Sequence, residues 1–143
     1  MKVVIQVVDS AVLSVGGAIV SKIGKGLCVY FGVEKGDENV NADYIVKKVS
    51  NMRIFHDDNG KMNLSVKDIN GEILLISQFT LLANTSHGNR PDFLNAELPD
   101  KAEKIYEYAK NRFIENGVPT KTGVFGADMK ILQENSGPVT IIL

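Results

Sequence analysis

The 143-residue sequence has no tryptophan, one cysteine, two histidines and four prolines. Each scarcity excludes something. With Cys28 alone, no intrachain disulfide can form. Cys28 lies in the apolar run Leu27-Cys28-Val29-Tyr30-Phe31, where a free cysteine behaves as a small buried hydrophobe. Such usage fits a reducing compartment, so a cytoplasmic location is expected. No apolar run approaches the ~20 residues of a membrane-spanning helix, and no membrane partner is expected. The N-terminus Met1-Lys2-Val3-Val4-Ile5-Gln6 lacks the pattern of a signal peptide. His56 and His87 yield no Ser-His-Asp assignment. His56-Asp57-Asp58 has no second His or Cys at ligand spacing and reads as a turn, so neither a metal nor another cofactor is expected. The formal net charge of −1 argues against coating nucleic acid by bulk charge, which needs many cations facing phosphates. A local basic patch stays compatible with it. Lys47, Lys48 and Arg53 could form one, or simply a solvated helix face.

What is present suits one domain over residues 1–143, able to bury a sizeable core without metals or disulfides. Val3 to Val8 is a short apolar run. Ala11–Val15 and Ala18–Ile23 flank Gly16-Gly17, a hairpin signal. Leu27 to Val33 reads as a central strand. From Asp37 to Phe55 the apolar residues Ile45, Val49 and Met52 recur at i, i+4 and i+7, one face of a helix. Gly60–Val66 is a short strand, Asn70-Gly71 a second hairpin signal, and Glu72–Leu82 a β run. Asn84–Pro99 is polar and bounded by proline, an ordered loop. Asp100–Asn116 is the clearest helix, with Asp100 and Glu103 resembling a capping box and Gly117 fitting its end. Thr120–Val124 and Lys130–Leu143 close the chain as β segments. The fold class expected is α+β, an antiparallel, barrel-like sheet with two main helices packed on it.

Three segments carry possible chemistry. Ser77-Gln78-Phe79-Thr80 follows the strand Ile73–Ile76, so its polar groups could line a pocket, or merely alternate out of a half-buried strand. Ser77 has no Gly-x-Ser-x-Gly elbow to expose it as a nucleophile. Thr122-Gly123-Val124-Phe125-Gly126-Ala127-Asp128-Met129 could be a turn or a binding loop; it is not a dinucleotide fingerprint. In Asn135-Ser136-Gly137-Pro138-Val139-Thr140, proline cannot donate to a sheet ladder, so a bulge, an edge or a turn is expected. Residue type alone favours a trans bond before Pro138, since about 5–6% of X–Pro bonds are cis in folded proteins.

Taken together, in order and spacing, these segments resemble the D-aminoacyl-tRNA deacylase (D-tyrosyl-tRNA deacylase) family from end to end. The carrying residues are Gly32-Val33-Glu34-Lys35-Gly36-Asp37, Arg53-Ile54-Phe55, Lys61-Met62-Asn63-Leu64-Ser65-Val66, Ser77-Gln78-Phe79-Thr80-Leu81, Arg90-Pro91, Thr122 to Met129 and Gly137-Pro138-Val139-Thr140. The resemblance implies a hydrolase of carboxylic esters that frees D-amino acids from tRNA, and glycine mischarged on tRNA-Ala, while rejecting L-aminoacyl-tRNA. It implies a homodimer with active sites at the subunit interface and tRNA as partner. Ser77, Gln78, Phe79 and Thr80 would form the catalytic floor, without a protein nucleophile or a cofactor. Backbone N–H groups near Phe79 and Thr80 would stabilise the oxyanion, and the 2′-hydroxyl of the terminal adenosine would assist attack. Gly137-Pro138, cis, would enter the partner's site and exclude an L side chain; Asn135, Phe125 and Met129 complete the expected substrate-binding set. One departure concerns Gln6-Val7-Val8, where the family usually has Gln-Arg-Val with the Arg bracing the Gly-Pro loop. Another is Thr85–Pro91, less basic than its usual Arg/Lys-rich version.

Two other readings stay open. One is a non-catalytic nucleic-acid-binding dimer on the same fold. The other is a small-molecule esterase using Ser77 or Thr80.

Overall fold

A computed structural model describes residues 1–143. Its frame is β1 (Lys2–Val15), a long strand with partners on both edges. β8 (Met129–Ile142) runs antiparallel along one edge. The other edge is shared by β3 (Gly26–Gly32), beside Lys2–Val8, and by β2 (Ala18–Ile23), beside Ala11–Val15. The expected hairpin at Gly16-Gly17 joins β1 to β2, both glycines at positive φ as a tight hairpin turn requires. Burial along β1 explains how one strand serves two cores. Val3, Ile5 and Val7 face the larger cluster, whereas Val8, Ala11 and Leu13 face the smaller one. Strand side chains alternate strictly, so the change of parity needs an irregularity. It is there: the β1–β8 register shifts between Gln6 and Val8 and again between Val8 and Ser10.

Beyond β3 the sheet ceases to be antiparallel. β6 (Glu72–Ser77) pairs parallel with β3, and β7 (Thr120–Thr122) parallel with β6. Parallel neighbours need a long crossover, usually helical, and the two helices supply it: α1 (Asn39–Asn51) between β3 and β6, α2 (Pro99–Glu115) between β6 and β7. The free edges of β2 and β7 approach one another. Ser21 Oγ donates to the Thr122 carbonyl at 2.6 Å and Lys121 Nζ to the Lys22 carbonyl at 2.6 Å. The result is a nearly closed barrel with both helices on its outside, the α+β architecture expected.

The helices pack on the sheet through Ala42, Ile45, Val46 and Val49 of α1 and Ile105, Tyr106, Ala109 and Phe113 of α2. These join Val3, Ile5, Val29 and Phe31 in the larger cluster. Cys28 is fully buried in the smaller one, and burial pushes its thiol up to about 12, which keeps it an inert packing residue.

Local expectations fail at several places. The β run expected over Glu72–Leu82 ends at Ser77, where the chain turns into a 3-10 coil, and the helix expected to reach Phe55 ends at Asn51, leaving Phe55 in a short strand. α2 starts at Pro99, with Leu98 at the cap and no side-chain cap bond, so Asp100 falls in the first turn and no capping box forms. Proline suits that first helical position because its missing N–H would have no partner there. Asn70-Gly71 does not close a hairpin. The short strand β5 (Met62–Leu64) pairs with β4 (Phe55–His56) instead. Gly71 N–H donates to the Val66 carbonyl, ending a local turn that feeds β6. The end of α2 is as expected: Gly117 has φ 81, and the Gly117 and Val118 amides bond the Ile114 and Phe113 carbonyls, a Schellman motif.

Candidate active site

β3 and β6 run side by side and end together, and a cleft of about 630 Å³ opens beyond their ends. Ser77 is the last residue of β6. Gln78 N–H still bonds the Phe31 carbonyl, and the chain then coils into a single 3-10 turn, Phe79–Leu82. Leu81 N–H is the first amide of that turn to bond, to the Gln78 carbonyl. Phe79 and Thr80 therefore stand at its open end, where amides have no acceptor within the helix. The Gln78 side-chain amide donates to Thr80 Oγ1, tying both ends of the motif together. The turn can lie this close to β3 because residue 32 is glycine. A Cβ on Gly32 would come within 2.9 Å of the Gln78 carbonyl oxygen and 2.6 Å of Leu82 Cδ2.

The cleft is largely apolar. Tyr106 of α2 backs it, its hydroxyl donating to the Leu75 carbonyl at 2.7 Å, and its ring lies 5.8 Å from that of Phe125. Burial holds the Tyr106 phenol well above its ordinary pKa, so it stays a donor at neutral pH. The outer wall is the segment before α2. Phe93 meets Phe79 edge to face at 5.1 Å. Glu97 N–H bonds the Val33 carbonyl, Lys35 N–H bonds the Asn95 carbonyl, and Glu34 bridges to Ala96, which pins this loop to the chain beyond β3. Glu97 also faces the cleft. Its carboxyl is held below the usual value, first by the Leu98 N–H and then by Gly36 and Lys101, so it is an anion and no proton donor near neutrality. Neither His56 nor His87 lines the cleft. Ser77 thus has no imidazole beside it, and the geometry offers no nucleophile–base pair of the triad kind.

The expected site residues fall into two groups. Ser77, Gln78, Phe79, Phe125 and Met129 line the cleft. Thr80 is exposed and reaches the cleft only through Gln78. Asn135, Gly137 and Pro138 lie elsewhere on β8, Asn135 paired with Val8 and the other two in the unpaired stretch opposite Val7. The Gly137-Pro138 bond is cis, with Gly137 at φ 116, as the family resemblance implied and contrary to the expectation from residue type alone. Met129 pairs with Val15 whereas the Gly-Pro segment lies opposite Val7, about 25 Å along β1 at the rise of a strand. Neither Gly137 nor Pro138 lines its own chain's cleft. Sequence reasoning missed Phe31, Phe93, Leu98 and Tyr106 as cleft residues. Tyr106 read as one member of a helix stripe, and the others carry no local signal, because strand, loop and helix bring them together only in the fold.

Comparison with known proteins agrees with this geometry. The D-Tyr-tRNA(Tyr) deacylase family model matches residues 4–143. The D-aminoacyl-tRNA deacylase of Geotalea daltonii (strain DSM 22248 / JCM 15807 / FRC-32) is 51% identical over 143 residues, spanning 100% of this chain and 95% of that protein. A solved structure named c-Myc DNA Unwinding Element Binding Protein superposes with a TM-score of 0.94 at 40% identity, covering 100% of this chain and 97% of that one. Another, described as a probable eukaryotic D-amino acid tRNA deacylase, has a TM-score of 0.83 at 18% identity over 99% and 97% of the two chains, and bears on the fold alone. With the family model matching residues 4–143 and a relative 51% identical over the whole chain, the chain belongs to the D-Tyr-tRNA(Tyr) deacylase family.

Proposed function

We propose that the chain hydrolyses the ester of D-aminoacyl-tRNA, and of glycine mischarged on tRNA-Ala, and spares L-aminoacyl-tRNA. Family membership carries the reaction. One observation carries the mechanism: an apolar cleft floored by Ser77, Gln78 and Phe79 that holds no histidine. Catalysis then relies on placing the ester rather than on a reactive side chain. Water adds to the ester carbonyl, assisted by the free hydroxyl of the terminal ribose, and the Phe79 and Thr80 amides donate to the oxyanion that forms. Donors preorganised where charge develops are worth most in a site that excludes water. Collapse of that intermediate breaks the bond to the ribose oxygen, which takes up the proton that the water gives up by way of the neighbouring ribose hydroxyl, and frees the amino acid.

Selectivity needs a second element close to the substrate's α-carbon. We assign it to Gly137-Pro138 of a partner copy, because neither residue lines its own chain's cleft. In a homodimer each bulge enters the other subunit's cleft and occupies the space an L side chain would need. Glycine, with no side chain, escapes that clash. The working assembly is a cytoplasmic homodimer with tRNA as its partner.

The test is deacylation of matched D- and L-aminoacyl-tRNA by the folded protein. Rapid release from the D ester alone is expected, with Ser77→Ala and Thr80→Ala each keeping measurable activity. Equal rates on both esters would sink the reading, and complete loss in either alanine variant with no need for tRNA would favour the small-molecule esterase. A second reading, nucleic-acid binding without turnover, draws on the name of the 40%-identical solved relative. RNA bound with no hydrolysis of any ester would favour it.

A further inference from the structure

We propose that Gln133 and Gln6 are positioning residues for the Gly137-Pro138 bulge, and through it for the choice between D and L substrates; the second half rests on the deacylase reading above. Between the paired positions Gln6–Thr140 and Val8–Asn135, β1 has only Val7, while β8 has Ser136, Gly137, Pro138 and Val139. The surplus must loop out of the ladder, and Pro138 has no N–H to tether it. Nothing charged supports the loop from position 7. Val7 is buried, and a cavity of about 70 Å³ lies between it and Ser136, Gly137 and Val139.

The tether is at the flanks. Gln133 Nε2 donates to Asn135 Oδ1 at 2.8 Å and to Gln6 Oε1 at 2.6 Å. Gln6 Nε2 donates to Thr140 Oγ1 at 3.3 Å. Gln133 Oε1 accepts from the Tyr30 hydroxyl at 2.9 Å. One connected amide pair therefore holds the residue before the bulge and the residue after it. It is anchored in turn to β3, the strand that leads to the cleft. Gln133 spends both amide hydrogens and its carbonyl on these partners, so it sits in one orientation. Gln133 and Asn135 share a face because they are two apart on the strand. Members of such a network reinforce one another, so its loss frees both flanks together.

The experiment replaces Gln133 by leucine, similar in size but without polar atoms, and Gln6 by leucine as an independent second variant. Amide hydrogen exchange reads local opening directly. Exchange at the amides within residues 136–140, those of Ser136, Gly137, Val139 and Thr140, should rise about tenfold in Gln133→Leu, with the amides of β3 unchanged. The ratio of D to L hydrolysis should fall about tenfold, while the rate on the D ester changes less. Gln6→Leu should act in the same direction, and the double variant should add little, as expected for residues of one network. Unchanged exchange at residues 136–140 in both folded variants overturns the positioning role. Faster exchange with an unchanged D-to-L ratio overturns the link to selectivity. If the parent protein itself shows no D preference, the deacylase reading falls, and the exchange measurement still decides the positioning.

Discussion

Tyr106 reaches from α2 to the main-chain carbonyl of Leu75, at 2.7 Å, two residues before Ser77. That bond ties the helix layer to the strand that ends in the proposed catalytic floor. The same carbonyl also accepts the Gly123 amide at 3.3 Å, so it is not orphaned when the hydroxyl is removed. Tyr106→Phe should therefore cost about 1 kcal/mol, the net worth of one neutral hydrogen bond. For a chain of this size that lowers the melting midpoint by about 2–4 °C. Calorimetry checks it, and an unchanged midpoint would show the bond to be without net value.

Gly32 tests how tightly the floor is held. The Gln78 carbonyl is main chain and cannot swing away as a leucine side chain can, so Gly32→Ala must push the Phe79–Leu82 turn off β3. Overpacking of this kind costs about 1–3 kcal/mol. A displacement of about 1 Å at a reacting centre can cost about a hundredfold in rate. We expect kcat/KM on a D-aminoacyl ester to fall by about ten- to a hundredfold in a protein that remains folded at 25 °C. Full activity in folded Gly32→Ala would mean that the turn does not place the ester.

Much of this arrangement is legible in the residues. Gly16-Gly17 marks its hairpin because only positive φ closes so short a turn, and Ile45 with Val49 mark the buried face of α1 by spacing. The strand-end pocket at Ser77 is only half legible, because Ser77, Gln78 and Thr80 after Ile73–Ile76 fit polar residues alternating out of a half-buried strand as well as they fit a pocket lining. The parallel pairing of β3, β6 and β7 is less visible. Its one signal is that Ile73, Leu74, Leu75 and Ile76 are apolar in succession and all buried, as a parallel strand covered on both faces requires. The outer wall of the cleft has no local signal at all. Phe93 meets Phe79 through a loop, and Leu98 looks like an ordinary residue before a helix. Asp100 misleads about the cap because Pro99, immediately before it, is the better first helical residue.

The helix layer has its own electrostatic link. Arg112 of α2 bonds Asp43 of α1 at 2.8 Å, and the Tyr108 hydroxyl donates to the same carboxylate at 3.0 Å. The Arg112 bond, more than the Tyr108 bond, holds the Asp43 carboxyl below its ordinary value. A carboxyl lowered in the folded state adds stability above its unfolded pKa, near 3.9, and loses it as pH falls through the folded value. Both partners are substantially exposed, so salt screens the pair and its contribution is small. Asp43→Asn should lower the melting midpoint slightly at pH 7 and low salt. That difference should shrink as pH is taken below about 4 and the parent's carboxylate is neutralised. Melting curves of both proteins across that range check it, and a difference independent of pH would assign the loss to packing.

Gly137 is where selectivity and stability should separate. Its φ of 116 is a conformation that residues with a Cβ rarely adopt, and a Cβ there would lie 2.8 Å from both Val139 N and Val139 Cγ2. Alanine at 137 must therefore shift the bulge or strain it, at a cost near the lower end of about 1–3 kcal/mol because the exposed segment can give. The residue is exposed and outside the regular pairing of β8 with β1, so the segment can relax without disturbing either core, and the melting midpoint should move little. The relaxation displaces the two residues assigned to exclude an L side chain. Gly137→Ala should consequently lower the ratio of D to L hydrolysis, or activity on both esters, by about tenfold or more, against a midpoint change of a few degrees at most. Parallel kinetics and melting curves decide between the two roles. A large fall in the midpoint with selectivity intact would place Gly137 among the residues that merely hold the sheet together.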